Sequence, residues 1–163
     1  MIAKFLFGIA LVAFGSFCGY FLAKKYRQRK DFFAQLQLFN ERFISEVSYY
    51  RRPIHEFISA YSYRGEFDLL LGDFISKVEK NSPLIDFDWR EYSFLKKDEQ
   101  CAVQEYFMML GRGNSASQKT YFSSMESTLK KWSEEANVMC KKYGDLYIKL
   151  GFLCGLFILI LII

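Results

Sequence analysis

The side chains that could catalyse a reaction or bind a metal are few and far apart in this 163-residue chain. The single histidine, His55, has no second histidine or cysteine pair beside it, and metal binding and catalysis both need a partner group. The four cysteines lack the CxxC spacing of zinc ribbons and dithiol redox centres. They are Cys18, Cys101, Cys140 and Cys154. We therefore predict no catalytic residue, no metal site and no cofactor.

Two other motifs match ligand sites only in part. Asp86-Phe87-Asp88 has the spacing of a metal-sugar-nucleotide site, but that site belongs to a larger α/β fold, and an aspartate pair in a loop is ordinarily a cap or turn. Residues 111–113, Gly-Arg-Gly, lack the lysine and hydroxyl of a phosphate loop and follow a predicted helix, not a strand. The sequence therefore does not indicate an enzyme.

Two apolar segments lie at the ends of the chain. Residues 5–23 carry no charge, and as a helix they span about 28 Å, close to a hydrocarbon core of about 30 Å. Residues 150–163 are also uncharged but cover only about 21 Å, so the second span must include residues near Lys149, thin the bilayer or lean on another membrane protein. We predict a transmembrane anchor at 1–24, a cytosolic helical domain at 25–145 and a transmembrane segment at 146–163.

A cleaved secretory signal is the alternative for the first segment. Lys4 supplies a charged start and residues 13–15, Ala-Phe-Gly, fit a small-x-small cleavage site, which would leave an exported helical protein. The apolar run continues to Ala23, however, where a cleaved signal should turn polar. A lipoprotein-type anchor at Cys18 is unsupported because a phenylalanine precedes it. These patterns favour the retained anchor.

Basic residues cluster on the inner flanks of both apolar segments. We call this set the basic collar: Lys24, Lys25, Arg27, Arg29, Lys30, Lys141, Lys142 and Lys149. Positive flanks lie on the cytosolic side of a membrane, so the domain between them should be cytosolic, and the same side chains can also snorkel to the interface. A cytosolic location also suits four free thiols.

The whole-chain net charge of +4 misrepresents the central domain. Residues 31–140 contain 13 Lys plus Arg against 17 Asp plus Glu, a net charge of −4. Because nucleic-acid binding calls for a basic face on the folded domain, we predict no nucleic-acid partner.

Apolar residues recur at helical spacing almost throughout the central domain. We predict an all-α fold, an antiparallel bundle of about six helices between two transmembrane helices, with the terminal helices continuous with the spans. The first stripe is Phe32, Leu36, Phe39, Phe43, Val47 and Tyr50. A second helix opens at Pro53 and ends near Gly65 in a left-handed C-cap. Its apolar residues are Ile54, Phe57, Ile58 and Tyr61, and those of a third helix are Phe67, Leu70, Leu71, Phe74, Ile75 and Val78.

The second half of the domain is less uniform. Residues 84–95 fit either a short helix or an irregular packed loop. Asp98 fits the N-cap of a helix through Leu110, whose inner face is Ala102, Tyr106 and Met109. Ser115 and Gln118 fit a capping box that opens a long final helix. Its seam follows steps of three and four: Phe122, Met125, Leu129, Trp132, Ala136, Met139, Tyr143, Leu146 and Leu150.

Three segments carry motifs beyond the helical pattern: residues 46–56, with Glu46, Tyr49, Pro53 and Glu56, and residues 110–118 and 142–156. They resemble the stage III sporulation protein AB family, where a glutamate, a tyrosine and a Pro-Leu-x-Glu recur at the intervals of the first segment; isoleucine stands here for the leucine. Residues 110–118 are similar to its Leu-Gly-x-Ser-Asp-x-x-x-Gln turn, and residues 142–156 to its C-terminal signature. The turn departs from the family at positions 113 and 114, where glycine and asparagine replace serine and aspartate and remove a negative charge.

The resemblance implies a non-enzymatic platform in the mother cell's channel to the forespore of spore-forming bacteria. The family is itself similar to the cytoplasmic domain of the platform protein of type II secretion systems, an antiparallel helical bundle. It implies as partners the channel's secretion-type ATPase, stage III sporulation protein AA, and the channel's other membrane proteins, besides membrane lipid. The implied location is the cell membrane, two-pass, with the central domain on the mother-cell side of the forespore membrane.

Two groups of residues are candidate contact sites. A partner surface is expected at the membrane-distal end, where two motif-bearing turns meet if the bundle is antiparallel; its residues are Glu46, Tyr49, Arg51, Arg52, Pro53, Glu56, Arg112, Asn114 and Gln118. The same motifs can instead serve only caps and helix crossings. Glycines allow close packing of the spans or of a partner, namely Gly15, Gly19, Gly151 and Gly155.

A membrane-tethered helical adaptor or regulator unrelated to secretion has the same seam and anchors. It would bind a soluble signalling partner and work outside sporulation. Its partners would therefore distinguish it from a channel platform.

Overall fold

A computed structural model describes the backbone of residues 2–49, 54–80, 86–110 and 115–162, and the side chains of residue 10 and of residues 12–46, 54–80, 86–110 and 116–160. These residues form helices and turns, without a strand among them. The helices are α1 (Ile2–Tyr49), α2 (Ile54–Ser59), α3 (Gly65–Glu79), α4 (Lys97–Met109), α5 (Ser115–Met139) and α6 (Asp145–Ile162). A π-helical turn, Cys140–Gly144, joins α5 to α6 without a break. The described chain therefore has five separate helices, where about six were predicted.

The chain divides into two compact units. The terminal unit comprises Met1–Lys30 and Glu135–Ile163, and the central unit comprises Asp31–Glu134. Helix α1 contributes its first part to the terminal unit and the rest to the central unit.

Aromatic side chains make up most of the core of the central unit. Phe39 on α1 is fully buried, and six rings surround it with centroids 5.4–6.4 Å away, those of Phe43, Phe57, Tyr63, Phe67, Tyr106 and Phe107. Such pairs stabilise by about 0.5–1.5 kcal/mol each beyond the area they bury. The ring of Phe39 thus connects α1 to α2, α3 and α4.

Helices α1 and α5 run antiparallel inside the central unit. The rings of Phe33 and Trp132 lie 5.5 Å apart, and those of Phe43 and Phe122 lie 4.7 Å apart. Later residues of α1 therefore contact earlier residues of α5.

The predicted stripe of α1 is confirmed at Phe32, Leu36, Phe39 and Phe43, because all four side chains are buried. Positions 47 and 50 lie outside the described side chains.

The second and third helices differ from the prediction at their junction. Gly65 does adopt the left-handed conformation, with φ of +64°, but it is the first residue of α3, and α2 already ends at Ser59. Tyr61 therefore lies in the connection and is 38% exposed. The α3 stripe is confirmed at Phe67, Leu70, Leu71 and Phe74, whereas Val78 is exposed.

The stretch before α4 is the irregular packed loop of the two alternatives, as far as residues 86–96 are described. It makes turns and buries the side chains of Phe87, Tyr92, Phe94 and Leu95. Helix α4 then begins at Lys97, one residue before the predicted cap Asp98. The carboxylate of Glu99 reaches back to accept a hydrogen bond from the Lys96 backbone N–H at 3.0 Å, so a glutamate three residues into the helix supplies the cap.

The buried face of α4 is also displaced from the predicted one. Val103, Tyr106 and Phe107 are buried, whereas Ala102 is half-buried and Met109 is exposed. Phe107 is the stronger hydrophobic anchor because its ring contacts those of Phe74 and Phe87 at 5.1 and 5.4 Å. The helix turns to bury that ring in place of Met109.

One chain of hydrogen bonds crosses the aromatic core. Tyr106 donates its hydroxyl to the Asn40 side-chain oxygen at 3.0 Å, and the Asn40 amide donates to the Phe122 backbone carbonyl at 3.1 Å. Asn40 is 1% exposed and Tyr106 is fully buried. Buried polar groups cost free energy unless they are paired, so this chain fixes the relative positions of α1, α4 and α5.

Burial makes the stability of the central unit sensitive to alkaline pH. It raises the pKa of Tyr106 well above 10.0 and the pKa of Tyr92 to about 12. In the unfolded chain both hydroxyls ionise near pH 10, so the full stability is present below that value and is lost as pH rises toward the folded pKa values. Tyr106→Phe should reduce the slope of this loss by up to about 1.4 kcal/mol per pH unit, as measured by urea unfolding of the detergent-solubilised chain.

The same variant should lower stability at neutral pH by about 1–3 kcal/mol, because the Asn40 oxygen loses its donor. Phe107→Leu is the matched control, since it weakens the same core without removing a tyrosine and should keep the parent slope. Equal slopes in the parent and in Tyr106→Phe would contradict the raised pKa of Tyr106 as a source of the alkaline loss of stability.

Candidate functional site

The terminal unit is held together by direct contact between the backbones of α1 and α6. A Cβ atom placed on Gly15 would lie 2.6 Å from the Gly151 carbonyl oxygen and 3.3 Å from the Gly155 Cα. One placed on Gly19 would overlap the Tyr147 carbonyl oxygen, and one on Gly151 the Gly15 carbonyl oxygen. Any side chain at these positions would force the helices apart. The four glycines predicted to pack thus lie together.

These contacts fix the register of an antiparallel pair. Gly15 on α1 contacts Gly151 and Gly155 on α6. Gly19 lies one turn later on α1, and its contacts, Tyr147 and Gly151, lie one turn earlier on α6. Gly19 is therefore level with the midpoint between Tyr147 and Gly151, which is Lys149. By the same count Lys24 is level with Gly144.

Aromatic and small side chains continue the contact beyond the glycines. The Tyr26 ring stacks on Tyr143 and Tyr147 with centroids 5.5 and 5.9 Å away, and Ala23 is fully buried. Neither Ala23 nor Tyr147 was predicted to pack here. The four-residue spacings Gly15-Gly19-Ala23 and Tyr147-Gly151-Gly155 are the signal that would have found them.

Beyond Ala136 the predicted seam holds at Tyr143, whose ring stacks on that of Tyr26, and is wrong at three other positions, of which the π-helical turn explains the last two. Met139, Leu146 and Leu150 were placed on the inner side, yet they are 38%, 44% and 44% exposed. The inner positions are instead Gly144, Tyr147 and Gly151, the first buried and the others half-buried. A π turn holds one residue more than an α turn, so the inner face moves on by one residue.

Most of the basic collar is exposed. Lys24, Lys25, Arg27, Lys141, Lys142 and Lys149 are exposed, Lys30 is half-buried and Arg29 is 7% exposed. Two of these cations lie against aromatic rings. The Arg27 guanidinium is 5.3 Å from the Tyr20 ring centroid, and the Lys142 ammonium is 5.2 Å from that of Tyr143. Exposed cations beside tyrosines are typical of a membrane–water interface.

The outer surfaces of the terminal helices are apolar. Phe14, Phe17, Phe21, Leu153, Phe157 and Ile160 are each more than half exposed. By length and composition the helical segment Ala116–Ile160 can cross a membrane, and its most apolar part is only 11% buried, unlike the core helix of a soluble protein. Among the described residues it is the one segment with these properties, so the N-terminal anchor stays a prediction.

The predicted partner surface is only partly described. Arg51, Arg52, Pro53, Arg112 and Asn114 lie outside the described residues, as does the side chain of Tyr49. Glu56 is exposed and Gln118 is half-buried, whereas Glu46 is 5% exposed. Of the described members, Glu56 is therefore the one whose side chain is exposed to solvent. Because Glu46 is buried, a structural role is favoured for its side chain.

A cation–aromatic contact that was not predicted lies on the same part of α1. The Arg42 guanidinium is 4.5 Å from the Tyr61 ring centroid and 5.4 Å from that of Tyr63. Burial raises the pKa of Tyr63, although the nearby guanidinium acts in the opposite direction. Arg42 thereby holds the connection between α2 and α3 against α1.

The residues first considered for chemistry do not assemble into a site. His55 Nε2 is 3.3 Å from Glu79 Oε1 on the surface, Asp88 accepts a hydrogen bond from the Arg90 backbone N–H, and the Asp86 carbonyl accepts one from Lys77. Among the described side chains, no three of the His, Cys, Asp or Glu type are close enough to share a metal. All four cysteines are free thiols.

The family model described as stage III sporulation protein AB matches residues 4–163. No curated protein and no solved structure matches the chain.

Adding a methyl group at the glycine contact should separate the terminal helices. Gly151→Ala places carbon against the backbone of α1, and such overpacking costs about 1–3 kcal/mol. We expect a lower melting temperature, and a photoreactive group at position 26 should lose its cross-links to residues 143–147. Gly72→Ala is the control, because open space surrounds Gly72 in α3, where alanine should stabilise by up to about 1 kcal/mol. Equal effects of the two variants would contradict the glycine contact.

The π turn should tolerate the loss of one residue. Deleting Lys141 leaves a regular α turn and does not rotate α6, so the cross-links from position 26 should persist. Deleting Lys130 in the regular part of α5 rotates everything that follows by about 100° and should weaken the same cross-links. If both deletions reduced cross-linking equally, the extra residue of the π turn would not set the register.

Proposed function

We propose a function for this chain from the premise that it belongs to the stage III sporulation protein AB family. The match to residues 4–163 carries the proposal, because it includes both terminal segments and the whole central unit. The chain is a stage III sporulation protein, and its proposed role is a non-enzymatic platform of the mother cell–forespore channel, required for endospore formation.

The terminal unit supports a two-pass membrane anchor. Antiparallel helices in backbone contact bring both ends of the chain to one side of the bilayer and both collar segments to the other. The central unit would then lie in the mother-cell cytosol at the forespore membrane.

The packing inside each of the two units supports the proposed role as a scaffold. Aromatic contacts and the Asn40–Tyr106 hydrogen bond join the helices of the central unit, and glycine contacts join those of the terminal unit. A platform needs a stable surface above the membrane, and it needs no catalytic group. The proposed partners are the secretion-type ATPase, stage III sporulation protein AA, and the channel's other membrane proteins, with membrane lipid around the terminal helices.

The proposed partner surface is the group of residues around the two motif-bearing turns. Glu56 is its exposed described member, and the arginines at positions 51, 52 and 112 would provide positive charge for an acidic partner surface. Because Glu46 is buried, it would support the turn and not touch the partner.

Cross-linking in sporulating cells tests the proposed role. The tagged full-length chain, isolated with its membranes after brief cross-linking during engulfment, should bring down the secretion-type ATPase and channel membrane proteins. Charge reversal at Arg51, Arg52 and Arg112 should abolish this recovery and block sporulation. Arg90→Glu is the matched control, since the Arg90 side chain is 93% exposed in a loop of the same unit.

Each result has a definite meaning. Recovery and sporulation that survive the triple reversal would reject the surface but keep the platform. Recovery of soluble signalling proteins without channel components would reject the platform in favour of a membrane-tethered adaptor.

A further inference from the structure

The register of the terminal helices places a lysine inside the apolar length of the pair. Gly19 is level with Lys149, so Lys149 lies four residues inside the end of the uncharged run 5–23. At 1.5 Å per residue this is about 6 Å below that end. The part of α6 that packs on the apolar run therefore begins before residue 150 and contains a charge.

Lys149 faces away from α1. The inner side of α6 is formed by Tyr147, Gly151 and Gly155, and Lys149 follows Tyr147 by two residues, about 200° around the helix. Its side chain is exposed, and Leu153, one turn later on the same outer side, is 57% exposed. The lysine thus lies on the surface that α6 turns toward lipid.

The direction of α6 determines where the ammonium group can go. Side chains on a helix tilt toward its N-terminus, which for α6 is the cytosolic end. A lysine stem reaches about the 6 Å that separate Lys149 from the end of the apolar run, which brings its ammonium to the edge of the hydrocarbon core, beside the headgroup layer.

We propose that Lys149 binds the headgroup phosphate of an anionic phospholipid on the outer face of α6. Charge and depth select this occupant, because the phosphate layer carries the anions on the lipid side of α6 at the end of the apolar run. Asp145, one turn earlier, is the competing carboxylate on the same helix, and Lys142, two turns before Lys149, lies against the Tyr143 ring. The inference rests on the proposed membrane insertion and goes beyond it by naming a lipid class and a residue.

Lipid selectivity beside Lys149 tests the inference in the full-length chain. Leu153→Trp places a reporter one turn deeper on the same face. The chain is reconstituted in phosphatidylcholine with a minority of phosphatidylglycerol, and bromine is carried either by the phosphatidylglycerol or by an equal amount of phosphatidylcholine. Quenching of the reporter, after subtracting the emission of the parent chain, gives the relative association of the two lipids.

We expect phosphatidylglycerol to be preferred by about five-fold, the ratio for ~1 kcal/mol per basic residue at the membrane surface. Lys149→Ala should bring the ratio to about one, while Lys149→Arg keeps it. Lys142→Ala, on the same face but beyond the apolar run, is the matched control and should keep most of the preference.

Three outcomes would overturn the inference in distinguishable ways. A preference that survives Lys149→Ala would assign it to the general field of the collar. Absence of preference in the parent reporter chain would overturn the inference and assign the ammonium to Asp145, the carboxylate one turn earlier. Quenching by neither lipid would place α6 outside the bilayer and would remove the membrane part of the proposed function as well.

Discussion

The backbone contact of Gly15 and Gly19 with Gly151 is the constraint on which the terminal unit depends. It sets the separation of α1 and α6, and it sets their register to within a turn. The positions of Tyr26 against Tyr143 and Tyr147 then follow, as does the height of Lys149. Because helices in lipid gain little from hydrophobic burial, close approach of this kind is the main way in which they recognise each other.

The π-helical turn changes the direction of the helix face before this glycine contact. Ala136 is buried before the turn, and Gly151 must be on the inner side after it. In a regular helix these residues, fifteen apart, would differ by about 60° in direction. The extra residue within Cys140–Gly144 changes this direction by about 100°, which leaves Gly151 about 40° from Ala136 in the opposite sense.

Most features that the sequence predicted depend on one helix, and most that it missed depend on two. The stripes of α1 and α3, and the start of the last helix at Ser115, follow from spacing and breaker residues alone. The positions after the π turn and the inner face of α4 do not, because the glycine contact and the ring packing of Phe107 decide them. The cap at Lys96 is a local exception, since Glu99 makes it three residues later in the same helix. The glycine spacings were visible in the sequence, whereas their register and the depth of Lys149 required both helices.

Helix α1 combines two kinds of packing, and its composition changes where the surroundings change. In the terminal unit it presents small residues to its partner and large apolar residues outward, as expected where the outside is lipid. In the central unit it presents phenylalanines inward and polar residues outward, as expected where the outside is water. The reversal occurs between Ala23 and Phe32, which is where five members of the basic collar lie. Three features of one helix, its buried residue sizes, its exposed polarity and its charge, thus change at the same position, where the proposed membrane boundary lies.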